Sequence, residues 1–319
     1  MSEVVAATRA LGAARAGVGV AGRGPGRKRR SRVGSPRGTF FAFALPSLVL
    51  LLLLNVYPLV YAIWQSLRNG NLIGAGDFVG LKNYTDIASQ PGFANATSFT
   101  LVFTLVGVFG SWAVGFGLAL LLRSRIPAGG FFKVLLLLPW VIPTVVSATS
   151  WNWLVATPQS PFPLAAQVLG LGNVSFLADP TLAQITVCVF KVWISFPFMM
   201  MMMSSALAAV DPSVYEASKV DGAGRWQTFT QITMPMVSRT TYVSWILMTI
   251  FCVNDFPTIY LLTGGGPVDA TQSLVVLAFR TVFQNNQVGP GVAIAFLMTV
   301  VLVIISVLLY RQIRKVDIE

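Results

Sequence analysis

Residues 215–235 read YEASKVDGAGRWQTFTQITMP, a polar stretch broken by Gly222 and Gly224. The chain on either side is strongly apolar, with KVWISFPFMMMMMSSALAAV at 191–210 and YVSWILMTIFCV at 242–253. The whole sequence follows the flanks rather than the insert. Of 319 residues, 55% are hydrophobic and only 10% charged, with a mean hydropathy of +0.72. A soluble domain cannot cover that much apolar surface with so few charges, so the fold class is an all-α polytopic membrane protein. Residues 215–235 are then a piece of chain that returns to water between two membrane spans.

Runs long enough to cross a hydrocarbon layer of about 30 Å fall at 40–63, 98–122, 134–155, 182–206, 238–262 and 291–310, which predicts six helices. The cations sort the loops. Of 22 Lys and Arg, eighteen lie in the N-terminal tail, the loops after the second and fourth spans, and the C-terminal tail. Arg68, Lys82 and Arg280 fall on the opposite side, and Lys191 lies inside the fourth span. Cations concentrate on the cytoplasmic side of membrane proteins, so both termini and the 207–237 loop are expected there.

Residues 1–38 hold nine Lys or Arg against one acid, Glu3, and read as a disordered basic cytoplasmic tail. The apolar run that follows continues past 20 residues, longer than the core of a cleaved signal peptide, so it is expected to stay as the first helix. The tail either only orients that helix or also touches anionic headgroups. Residues 39–315 form the transmembrane domain and 316–319 a cytoplasmic end. Gly- and Pro-rich outer connections at 64–97, 156–181 and 263–290 predict ordered turns or short re-entrant pieces. The chain has no histidine, and Cys188 and Cys252 both sit in apolar runs, which excludes a metal site of the usual His/Cys kind and argues against a disulfide.

Just before 215–235, Asp211-Pro212 marks a helix start, and within it Glu216 and Lys219 are spaced to pair. Tyr215, Ala217, Val220 and either Ala223 or Gly224 fall roughly along one side, Asp221 and Gly222 make a turn, and a second short helix leads into the fifth span. Spacing alone is also satisfied by an interfacial amphipathic loop. The string Glu216-Ala217-Ser218, three residues, Gly222, nine residues, Ile232-Thr233-Met234-Pro235 resembles the EAA loop of binding-protein-dependent ABC transporter permeases. That family's pattern is E-A-A, three residues, G, nine residues, I-x-L-P; Ser218 and Met234 depart from it. The resemblance implies type I importer architecture, with Glu216, Ala217, Ser218, Asp221, Gly222, Ala223 and Pro235 forming a cytoplasmic coupling helix that docks into an ATPase subunit.

VWISFPFMMMMMSSALAAVDPSVYEAS and FCVNDFPTIYLLTGGGPVDATQSL further resemble sugar-uptake permeases of the maltose-permease type, over roughly residues 40–315. The implied cargo is a di- or oligosaccharide of the maltose or trehalose kind, with glycerol-3-phosphate or an amino sugar as the alternative. Ionisable groups are costly in hydrocarbon and tend to face a partner or a wet cavity. Lys191 and Asn254–Asp255 are such groups here. They read either as a static Lys191–Asp255 pair or as cavity-lining residues with Asp255 accepting sugar hydroxyls, and the two are compatible. The resemblance places Thr144, Ile194, Ser195, Phe198, Cys252 and Asp255 along the same pathway. Pro197 and Pro257 are expected to kink their helices, and the five methionines 199–203 to pack adaptably against a second permease.

An ion-coupled secondary transporter would call for more intramembrane carboxylates and often an inverted repeat. A membrane-embedded enzyme needs clustered acids or a metal, and neither is present in the sequence. The basic tail lacks the aromatics or fold that would suggest nucleic acid. No Walker A pattern occurs, so the chain is expected to be non-catalytic and to hold no cofactor, with ATP and Mg in the partner ATPase. The implied partners are a second homologous permease subunit, a cytoplasmic ATPase dimer, an extracytoplasmic sugar-binding protein or lipoprotein, and the lipids of a bacterial plasma (inner) membrane.

Overall fold

The computed structural model describes residues 36–123 and 127–316, so nearly all of the basic tail lies outside the described residues. The described chain is helices and loops, with one isolated bridge, Arg68 to Phe78, in place of a strand. It divides between Tyr57 and Pro58 into two units. The described part of the first is helical from Pro36, and its apolar side chains from Phe43 to Tyr57 stay exposed or half-buried, a surface suited to hydrocarbon.

Among the described residues five helices are long and apolar enough to cross a membrane. In chain order the helices are α1 (Phe43–Ser66), α2 (Lys82–Ala88), α3 (Pro91–Arg123), α4 (Gly129–Val141), α5 (Thr144–Val155), α6 (Pro161–Val168), α7 (Pro180–Ala208), α8 (Pro212–Val220), α9 (Arg225–Val253), α10 (Phe256–Leu262), α11 (Leu274–Gln284) and α12 (Val288–Ile313). The long ones are α1, α3, α7, α9 and α12. The expected third span, 134–155, is instead a pair, α4 and α5, bent by 92°. Counting that pair as one span gives six. The bend follows from Pro143, which lacks an N–H and disfavours helical geometry at the residue before it; Ile142 is extended (φ −70°, ψ 133°).

The expected fifth span, 238–262, is corrected at both ends. The helix begins at Arg225, so the second short helix of the polar stretch is the first turn of α9, and it stops at Val253. Pro235 lies inside this long helix without ending it, because a π turn at Thr228–Thr233 shifts the hydrogen-bond register just before the proline. Pro257 opens the separate helix α10 rather than kinking a continuous one, and Pro197 sits within the unbroken α7.

The core is built on α3 against α7. Their backbones come together at Gly115, where an added Cβ would lie 2.6 Å from Met200 N and 2.7 Å from the Phe196 carbonyl oxygen. The methionine run lies mostly inside this chain: Met199, Met200 and Met203 are buried and only Met201 is clearly exposed, because α7 turns that face toward α3 and α9. The outer connections are ordered. Asn83 Nδ2 donates to the carbonyls of Ser66 and Arg68 (2.8 Å each), and Leu72 N donates to Asn286 Oδ1 (3.0 Å). The TGGGP segment is closed by Thr271 Oγ1, which lies 2.7 Å from Thr263 Oγ1 and donates to the Gly266 carbonyl at 2.6 Å. It is tied down by Gln184 Nε2 to the Ala270 carbonyl (2.7 Å) and by Arg280 to Asp269 (2.6 Å).

Gly115→Val should force α3 from α7 and cost about 1–3 kcal/mol, read as a lower thermal midpoint of the detergent-solubilised protein. An unchanged midpoint would show that the crossing tolerates a branched side chain.

Candidate functional site

Two interrupted helices meet at one cavity of about 250 Å³, lined by Trp140, Thr144, Lys191, Ile194, Ser195, Phe251, Asp255 and Thr258. Thr144 is the first residue after the α4–α5 break, and Asp255 stands in the gap between α9 and α10. Asn254 leaves helical geometry (φ −94°, ψ 11°), and Asp255 caps the next helix by accepting from Thr258 N at 3.1 Å. Its other oxygen, Oδ2, accepts from Lys191 Nζ at 2.7 Å. Both side chains of this pair are over nine-tenths buried. The pair therefore closes α7 onto the start of α10 and leaves the cavity wall without net charge.

The structure thus brings together Thr144, Lys191, Ile194, Ser195 and Asp255. Phe198 sits behind the wall, stacked on Trp140 at 5.3 Å and edge-on to Phe251 at 5.9 Å. Cys252 points elsewhere: it is buried at a helix crossing, where an added Cβ on Gly107 would lie 2.7 Å from its sulfur. Asn254 is exposed and its amide donates to the Ile250 carbonyl (2.9 Å). Trp140, Phe251 and Thr258 complete the wall and were not singled out in the sequence. The last two stand four before and three after Asp255, a helical spacing that could have found them.

The polar stretch is a second site. Helix α8 is capped by Asp211, whose carboxylate accepts from Ser213 N at 2.9 Å. That bond favours the ionised form and holds Asp211 below the usual carboxylate range. The cap is therefore at full strength above that range and is lost as pH falls through the lowered value. Helix α8 ends in a left-handed turn at Gly222 (φ 77°), with Gly222 N bonded to the Lys219 carbonyl (3.2 Å) and Ala223 N to the Ser218 carbonyl (2.9 Å). This backbone pattern needs glycine and holds the turn at Asp221. Glu216, Ala217, Lys219, Val220 and Trp226 face outward, Ala223 is half-buried, and Pro235 is exposed. Ser218 is buried, and its hydroxyl donates to the Tyr215 carbonyl (2.9 Å). Tyr215 is covered by the Arg123 guanidinium, 4.2 Å from the ring centre, which fastens α8 to the end of α3.

A profile of the family described as "binding-protein-dependent transport system inner membrane component" matches residues 111–318, from the middle of α3 to the C-terminal end. The chain belongs to this family. It is a membrane-spanning permease subunit of an ABC importer, and its all-helical fold is that of such permeases. It is 33% identical over 276 residues to the trehalose/maltose transport system permease protein MalF of Thermococcus litoralis, covering 86% of this chain and 93% of that one. It is 31% identical over 282 residues to the trehalose transport system permease protein SugA of Mycobacterium tuberculosis, covering 84% and 87%. Among solved structures it superimposes on a bacterial ABC transporter involved in alginate import with a TM-score of 0.76 at 20% identity, covering 87% of this chain and 96% of that one.

Asp255→Ala should leave the Lys191 ammonium buried and unpaired and cost about 3–5 kcal/mol, whereas Lys191→Met with Asp255→Leu should cost far less. Thermal unfolding in detergent separates the two; equal losses would mean that pairing is not what Asp255 contributes.

Proposed function

We propose that this permease imports an uncharged di- or oligosaccharide of the maltose or trehalose kind. The observation that carries the proposal is the character of the cavity. Its acid and base neutralise each other, and its lining sets the hydroxyl-bearing Thr144 and Ser195 beside the aromatic Trp140 and Phe251. Neutral sugars need this combination, polar groups for hydroxyls beside aromatic faces for the C–H surfaces of the ring. With Lys191 bonded to Asp255, no free cation lines the wall for a phosphate. The two relatives named for trehalose or maltose transport support the same class.

In this proposal the chain pairs with a second homologous permease and carries no cofactor of its own. A cytoplasmic ATPase dimer, holding ATP and Mg, docks on α8, and an extracytoplasmic binding protein delivers the sugar; a solved alginate transporter is in complex with a periplasmic protein that holds an alginate pentasaccharide. Both termini and the 207–237 loop face the cytoplasm, so that α8 meets the ATPase while the α10–α11 connection faces the receptor. Binding-protein docking and closure of the ATPase dimer open the cavity outward, and hydrolysis resets it inward. Glu216, Ala217 and Gly222 offer a small-residue helix surface with one carboxylate to the ATPase cleft.

ATPase activity of the reconstituted complex, titrated with the binding protein and a panel of neutral sugars, should rise only when the binding protein and one sugar are both present. Stimulation by glycerol-3-phosphate or an amino sugar instead would overturn the substrate class. Failure of any ATPase to associate would remove the coupling role of 215–235. Glu216→Lys should abolish stimulation while shifting stability by no more than about 0.5 kcal/mol, since the residue is exposed.

A further inference from the structure

An unbroken run of aromatic contacts climbs from the polar stretch into the core. Trp226 meets Phe229 (5.8 Å between ring centres), Phe229 meets Phe116 (5.9 Å), and Phe116 stacks on Trp112 (5.5 Å). Trp112 then meets Trp245 edge-on (5.5 Å), and Trp245 meets Phe109 (4.9 Å). Phe109 belongs to a π turn in α3, Val106–Gly110. Gly107 of the same turn lies against Lys191 and Cys252; an added Cβ would sit 3.2 Å from Lys191 Cγ. The run therefore ends in the turn that also packs against the stem of Lys191.

One joint in it is incompletely bonded. The indole nitrogens of Trp112 and Trp245 are fully buried with no acceptor among the described residues, and the Thr104 hydroxyl is likewise buried without a partner. Trp245 and Thr104 line the same apolar cleft, of about 160 Å³, between α3, α9 and α12. A buried donor and a buried acceptor are thus left unpaired on the lining of one cleft, where native structures leave few such groups unsatisfied.

We propose that Trp245 is a positioning residue with two seats. One is seen here, edge-on to Trp112. In the other the indole swings into the cleft and its N–H donates to Thr104 Oγ1. Trp245 of α9 sits between Phe109 and Trp112 of α3, so movement of α9 against α3 changes its surroundings. The seat of Trp245 thereby links the 215–235 segment to the Lys191–Asp255 pair. The inference rests on the reading that this segment docks the ATPase.

5-Fluorotryptophan placed at 245 in the permease–ATPase complex gives a fluorine NMR signal that needs no knowledge of the transported solute. The expected result is two resonances whose ratio changes when a non-hydrolysable ATP analogue binds. Thr104→Val should remove one of them and weaken analogue binding by about fivefold, and Thr104→Ser should restore both. Trp245→Phe should weaken binding similarly, and the double variant Thr104→Val/Trp245→Phe should be no worse than either single one. A purely structural contact would lower the thermal midpoint without moving analogue affinity. A single resonance unchanged by nucleotide, or losses that add in the double variant, overturns the proposal. Failure of the ATPase to co-purify removes the docking reading and the proposal with it, an outcome distinct from a complex that forms but shows no response.

Discussion

Hydrocarbon offers no hydrogen bonds, so a chain that crosses it can be interrupted only where protein groups replace the lost helical ones. Two interruptions in this permease obey that constraint. At the α4–α5 break Pro143 has no N–H to satisfy, and its carbonyl accepts from Ser147 N in the first turn of α5. At the α9–α10 break the carboxylate of Asp255 caps the new helix at Thr258 N. That carboxylate needs a counter-charge in turn, and Lys191 supplies it from α7. The ion pair is thus a consequence of the broken helix, and the cavity is the space that the two breaks leave.

The same logic divides the molecule into stiff and yielding parts. At Gly115, α3 and α7 pack with no side chain between their backbones, which leaves little freedom to slide. Contact between α3 and α9 includes large rings, tilted or edge-on at 4.9 to 5.9 Å, beside the close approach of Gly107 to Cys252. Helix α9 also runs unbroken from the polar stretch to the edge of the cavity, a single lever of 29 residues. Its π turn lets Pro235 sit in that lever without cutting it, which preserves the mechanical connection that a kink at this proline would lose.

Much of this was legible in the sequence because the bilayer imposes a length. Four of the six apolar runs appear as helices close to the expected positions, and the EAA-like spacing located α8 and its glycine turn. The misplacements share a cause. Pro143 and Pro257 were visible, but whether a proline kinks, ends or opens a helix depends on which neighbour takes over the freed backbone groups. That is a tertiary property. Cys252 shows the same limit: the family resemblance put it on the pathway, but helical rotation turns it toward Gly107. The Trp112–Trp245 contact joins residues 133 positions apart in the chain, and no local pattern announces it.

The charge balance of the cavity bears on how transport is driven. An ion-coupled carrier needs an intramembrane carboxylate that changes protonation or releases a cation during the cycle. Here Asp255 has both oxygens committed, one to a lysine and one to a backbone N–H, so releasing it would strand a buried ammonium and uncap α10 at once. A site held that firmly is poorly suited to cycling a proton. It suits a device in which the energy enters elsewhere and reaches the cavity as movement of helices. In the proposed reading, movement enters at the exposed α8 and reaches the cavity through α9 and its ring contacts with α3, and a wall of balanced charge suits a polar but uncharged solute.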